Sequence, residues 1–101
     1  MAELLLTLVN PVDGRDDEFR AWYWDTHVPE VLRLPGFVAA RPLRMTEEPG
    51  GPAPFRYATI YEVEGSAAEA RNLMFSAGLG MSDSMDLSAM IVAPYGGPDG
   101  A

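Results

Sequence analysis

The chain has no cysteine and no lysine among its 101 residues. Without cysteine there are no disulfides, thiolate nucleophiles, iron–sulfur clusters or cysteine-based zinc sites. Without lysine there is no Schiff-base catalysis and no phosphate-binding lysine of the Walker type. Positive charge is scarce: 7 arginines face 15 acidic residues, for a net charge of -8. Nucleic acid and anionic membrane surfaces are therefore not expected as partners. No apolar run approaches the roughly 20 residues that span a bilayer. Met1-Ala2-Glu3 lacks the positive start of a secretory signal, so a cytoplasmic location is expected. What remains is the composition of one soluble globular domain over 1–101, with 48% hydrophobic and 22% charged residues.

Leu4 to Val9 is a short apolar run stopped by Asn10-Pro11, which reads as a strand buried on both faces. Asp13 and the acids behind it suit a helix N-terminus, and a helix is expected from Arg15 to Leu34. Phe19, Tyr23, Trp24, His27, Val31 and Leu34 fall on one side of it. Pro29 interrupts that stripe and should kink or loosen the helix around His27. Pro35-Gly36 ends the helix, and Phe37 to Met45 reads as a strand that Pro42 makes an edge or a bulged one. In it Phe37, Ala39, Arg41 and Leu43 share one face. Glu47 to Pro54 is a loop, and Phe55 to Val63 a third strand. Ser66 and Glu69 form a capping box for a second helix reaching Ala77, which would bury Ala70, Leu73, Met74 and Phe75. Gly78 to Ser84 is a loop, Leu87 to Tyr95 the last strand, and Gly96 to Ala101 a frayed tail.

The order β-α-β-β-α-β implies an α+β ferredoxin-like plait, a four-stranded antiparallel sheet with two helices on one face. Helices cover only one face, yet Leu4-Leu5-Leu6 and Met90-Ile91-Val92 are apolar on both. A bare apolar sheet face is rarely left to water, so sheet-to-sheet packing into a homodimer is expected.

Asp16-Asp17-Glu18-Phe19, Trp22-Tyr23, Thr26-His27-Val28-Pro29 and Leu34-Pro35-Gly36-Phe37, with Arg41 on the next strand, resemble the EthD-like branch of the dimeric α/β-barrel superfamily. The resemblance covers about the first half of the chain; the second half agrees in element order. It implies a cleft between sheet and helices with the first-helix histidine, here His27, facing into it. Relatives include cofactor-independent monooxygenases, polyketide cyclases and dehydratases, lactone isomerases, haem-dependent enzymes and proteins without known activity, so fold does not settle function.

His27 is the only histidine. A core histidine with satisfied ring nitrogens would fit the pattern. However, an imidazole in an apolar stripe is costly without a partner, and its ordinary pKa of about 6.5 suits proton transfer near neutrality. With the resemblance added, His27 is the expected catalytic residue. Tyr23 lies one turn away, where it either orients the imidazole, donates to a substrate oxygen or simply packs. Phe19 and Trp24 would wall an apolar pocket, as core, as lining or as both. Arg41 either holds a carboxylate or enolate or is a solvated surface charge. Tyr57 and Tyr61 either donate phenolic hydrogens or pack in the dimer core. Asp25 and Glu30 near a lone histidine are not a zinc pattern, so no metal is expected. Haem on His27 stays open as an alternative, since some members of the resembled superfamily bind it, but a single histidine is no evidence for it and no cofactor is expected. Met74, Met81, Met85 and Met90 read as gap-fillers. The expected function is a small cofactor-independent enzyme that moves a proton on an apolar oxygenated metabolite, in a cyclisation, dehydration or isomerisation. The alternatives are a cofactor-free monooxygenase and a non-catalytic binding protein.

Overall fold

The computed structural model describes residues 3–46 and 54–97. Most of the loop expected over Glu47–Pro54 and the last residues of the expected tail lie outside them. The elements are β1 (Glu3–Val9), α1 (Asp16–Trp22), a π-helical segment (Tyr23–His27), α2 (Val28–Leu32), β2 (Phe37–Arg44), β3 (Tyr57–Val63), α3 (Ala67–Ser76) and β4 (Ile91–Tyr95). The sheet has the order β2-β3-β1-β4, with every neighbouring pair antiparallel. This is the ferredoxin-like plait. Prolines sit only where such a sheet tolerates a missing donor: Pro42 is on one edge strand and Pro94 on the other.

One face of the sheet carries the core. Leu5, Val9, Tyr57, Tyr61 and Val63 pack there against Phe19, Tyr23, Val28 and Val31 of the first helical stretch and Ala67, Ala70 and Met74 of α3. On the other face no helix of the described residues lies over β1, whose residues alternate: Leu5, Thr7 and Val9 are buried and Leu4 is exposed. The expected burial on both faces is thus not met within one chain. Leu4, Leu43, Ile91 and Tyr95 are all exposed.

Several boundaries moved for identifiable reasons. The first helix begins at Asp16 behind Arg15, without a side-chain cap, so Asp13 is not the cap. Asp16, Asp17 and Glu18 still fill its first turn, where the dipole favours acids. Ser66 does cap α3, its Oγ accepting from the Glu69 N–H at 3.2 Å. The Ala67 N–H goes to the Glu3 carboxylate at 2.8 Å, tying α3 to β1. Phe75, expected in the core, is 56% exposed. The last strand starts at Ile91 rather than Leu87. Gly36 turns the chain from α2 into β2 with φ +87°, a left-handed conformation that favours glycine. Among the described residues, no helix is long and apolar enough to cross a membrane.

Candidate active site

Proline chemistry shapes the helix that carries His27. In an α-helix the N–H of residue 29 would bond the carbonyl of Asp25; Pro29 has no N–H, and its ring would crowd that carbonyl. The chain widens its turn just before the proline: the Val28 N–H bonds the Tyr23 carbonyl, five residues back. The loosening expected around His27 is therefore a π segment, a feature that concentrates at functional sites. Its wider turn brings residues five apart onto one side. The Trp22 ring stacks on the His27 imidazole at 4.8 Å, with 28° between planes. Tyr23 flanks the same imidazole at 5.6 Å and 25°.

His27 is 8% exposed and lines a cavity of about 250 Å³. β1 contributes Thr7 and Val9, β3 contributes Tyr61, and α3 contributes Met74. The fourth side is the irregular segment 78–90, through Leu79, Met81, Met85, Leu87 and Met90. That segment is pinned to the end of β1: the Val12 N–H donates to the Ser84 carbonyl at 2.7 Å, and the Asp86 N–H to the Asn10 carbonyl at 2.9 Å. The Arg15 guanidinium adds a bond to Asp83 Oδ1 at 2.7 Å. The four methionines expected as fillers are part of the cavity wall, where unbranched thioether chains adapt to irregular contours.

The polar groups of this apolar hollow are few. Among the described residues His27 Nδ1 and the Tyr61 hydroxyl are buried without a hydrogen-bond partner. Leaving such a group unsatisfied costs about 1–3 kcal/mol. Burial pushes the His27 pKa below the ordinary imidazole value, and the Glu30 charge pulls it partly back. The imidazole is therefore neutral at pH 7 and able to accept a proton. Burial likewise raises Tyr61 far above the usual phenol range, and Tyr23 in the same direction, so both stay protonated.

The lowered His27 pKa predicts a pH dependence of stability. Between the folded pKa and the unfolded value of about 6.5, the unfolded chain binds more protons at this site. The contribution is complete above that unfolded value and is lost as pH falls through the folded one. Urea denaturation at pH 7.5 and pH 5, run beside His27→Gln, should show a smaller acid loss in the variant. Equal losses in both proteins would contradict it.

Of the residues expected at the site, the structure brings His27, Tyr23 and Tyr61 together at the cavity. Phe19 is fully buried one layer behind, stacked on Tyr23 at 5.1 Å. Trp24 turns away from the cavity and meets Tyr57 edge-on at 5.9 Å. Tyr57 borders a separate polar depression with Arg20, Arg44 and Arg56. Arg41 is corrected most clearly. A β-bulge between Phe37 and Ala39 inserts one residue, so Arg41 pairs with Ile60 while Ala40 pairs with Tyr61. Directly paired residues share a sheet face, so Arg41 points to the side opposite the cavity and is exposed. Sequence reasoning missed Trp22 as a partner of His27, because a period of 3.6 sets residues five apart on different sides. It also missed Thr7 and the segment 78–90. The alternation of β1 could have shown Thr7; nothing local marks the segment.

The chain is thus a ferredoxin-like α+β protein with a histidine-faced apolar cavity between its sheet and its helices. Among solved structures it is similar to the crystal structure of an ethyl tert-butyl ether d (EthD) family protein from Bacillus halodurans, with a TM-score of 0.62 and 16% identity over 96% of this chain and 99% of that one. The fold is that of the EthD protein. No protein-family model matches the sequence, and no curated protein does.

Proposed function

We propose that the protein is a small enzyme that moves a proton on an apolar, oxygenated metabolite of aromatic or polyketide type, without a cofactor. One observation carries the reading. A neutral, buried imidazole and an unpartnered phenol belong to the same apolar cavity of about 250 Å³. The volume exceeds that of a cavity known to admit benzene, about 150 Å³. In this reading His27 takes a proton from a C–H beside a carbonyl. The electron pair of that bond passes to the carbonyl oxygen, giving an enolate opposite an imidazolium. Return of the proton to another carbon isomerises the substrate. Return to a β-hydroxyl, as the enolate pair reforms the carbonyl and the C–O bond breaks, releases water, and attack of the enolate carbon on a second carbonyl closes a ring whose new alkoxide takes the proton back from the imidazolium. Tyr61, held protonated, suits the developing oxyanion; Arg41, on the far face, does not.

The uncovered sheet face supports a homodimer as the working form. Leu4, Leu43, Ile91 and Tyr95 are exposed on strands whose neighbouring side chains on that face are also largely apolar.

The test is hydrogen exchange in D₂O. Aryl ketones and aryl β-diketones are incubated with the protein and deuterium uptake at the α-carbon is followed by NMR. Catalysed uptake is expected. Ligand binding without uptake would replace this reading with that of a binding protein. Oxygen consumption during turnover would select the monooxygenase.

A further inference from the structure

Two tyrosines line the cavity, and their hydroxyls are not equivalent. The Tyr23 hydroxyl lies 2.7 Å from Thr59 Oγ1 and 3.1 Å from Thr7 Oγ1. Thr7 Oγ1 also lies 3.2 Å from the Thr59 carbonyl oxygen. A carbonyl oxygen only accepts, so the single hydroxyl proton of Thr7 goes to it. Thr7 then offers Tyr23 only lone pairs, and Tyr23 must be the donor between them. With that proton engaged, Tyr23 can only accept from Thr59. The proton order is fixed along the whole chain: Thr59 Oγ1 donates to Tyr23, Tyr23 to Thr7, and Thr7 to the Thr59 carbonyl. Thr7 is 5% exposed and Thr59 is fully buried, so bulk water does not compete for these bonds. Tyr23 retains one lone pair and no free hydrogen.

Tyr61 is the opposite case. It is fully buried, and its hydroxyl has no partner among the described residues. Its proton is uncommitted, and with less than 1 Å² of accessible surface the hydroxyl meets a guest only where the apolar wall gives locally. The lining, moreover, includes no arginine, aspartate or glutamate among the described residues. A carboxylate entering this hollow would lose its hydration and meet no fixed cation, which is costly.

We infer that Tyr61 is the residue that hydrogen-bonds the oxygen of the bound molecule, that Tyr23 is a positioning residue whose ring holds the His27 imidazole, and that the bound molecule is an uncharged carbonyl compound. The inference rests on the cavity being a ligand site and deepens that reading. It divides the two phenols: one is an ordered strut, the other an unpaired donor.

Three probes of similar outline test it: acetophenone, ethylbenzene and benzoate. Binding to the wild-type protein, Tyr61→Phe and Tyr23→Phe is followed by NMR titration. The carbonyl stretch of bound acetophenone is followed by infrared difference spectroscopy. Wild-type protein should prefer acetophenone to ethylbenzene by about tenfold, the yield of one hydrogen bond in a dry site. The bound carbonyl stretch should move to lower wavenumber. Both effects should vanish in Tyr61→Phe and persist in Tyr23→Phe. Thermal melting gives an independent reading: Tyr61→Phe should melt no lower than wild type, whereas Tyr23→Phe should melt lower because it breaks the ordered chain. Loss of the preference in Tyr23→Phe with retention in Tyr61→Phe overturns the assignment, as does benzoate binding as tightly as acetophenone. Equal binding of acetophenone and ethylbenzene overturns the donor role and leaves the ligand site standing. If none of the three occupies the wild-type cavity at millimolar concentration, the ligand site itself falls.

Discussion

His27→Gln should lower the rate of α-carbon deuterium uptake by about 10²–10⁴-fold, the range that a positioned general base supplies. Glutamine keeps a planar polar group of similar reach but cannot accept a proton near neutrality. The loss should therefore fall on the rate constant, while the affinity for acetophenone, set in this reading by the Tyr61 hydroxyl and the apolar wall, stays within a few-fold. The pH profile gives a second check. Because burial lowers the His27 pKa, the acid limb of kcat/KM should lie below the ordinary imidazole value. A variant that keeps its rate, or a limb displaced above that value, would remove His27 from the chemistry.

Phe19→Ala should destabilise the protein by about 3–5 kcal/mol, the usual cost of emptying a buried aromatic site. That is a large share of the roughly 5–15 kcal/mol that holds an ordinary domain together. Phe19 has no exposed surface. Its ring stacks on Tyr23 at 5.1 Å and 17°, and meets Tyr57 at 5.1 Å and 47°. It is thus the joint between the helix and β3, and its neighbours are rigid rings that cannot collapse into the gap. Urea denaturation at neutral pH measures the change; a loss below 1 kcal/mol would show that the site closes around the deletion. The effect on the cavity is indirect, since Tyr23 would lose the ring against which it is stacked.

The first half of the chain was largely legible in its sequence. A strand stopped by Asn10-Pro11, an aromatic stripe and a Pro35-Gly36 terminus are local signals, and each reflects a backbone preference that survives folding. His27 could be found because an imidazole inside an apolar stripe contradicts its surroundings. Tyr23 followed from helical spacing. What escaped were the departures from period. The π segment shifts the register of the helix, moving Trp22 onto His27 and leaving Trp24 outside the cavity. The bulge at Phe37/Ala39 shifts the register of β2 and reverses Arg41. Pro29 announced a disturbance in the helix but not its geometry. Pro42 pointed to an edge or a bulge in β2, but not to its place at the start of the strand, between Phe37 and Ala39. The segment 78–90 has no period at all; it becomes a wall only because Asn10, Val12 and Arg15 hold it from a distant part of the chain.

The bulge in β2 has a further result. With Arg41 swung to the far side, the hollow is electrically bare, and a guest is held by contact and one or two hydrogen bonds alone. Added salt screens forces between ions and does little to contacts of that kind. Occupancy of the hollow should therefore be nearly indifferent to ionic strength, even in a protein as strongly anionic as this one.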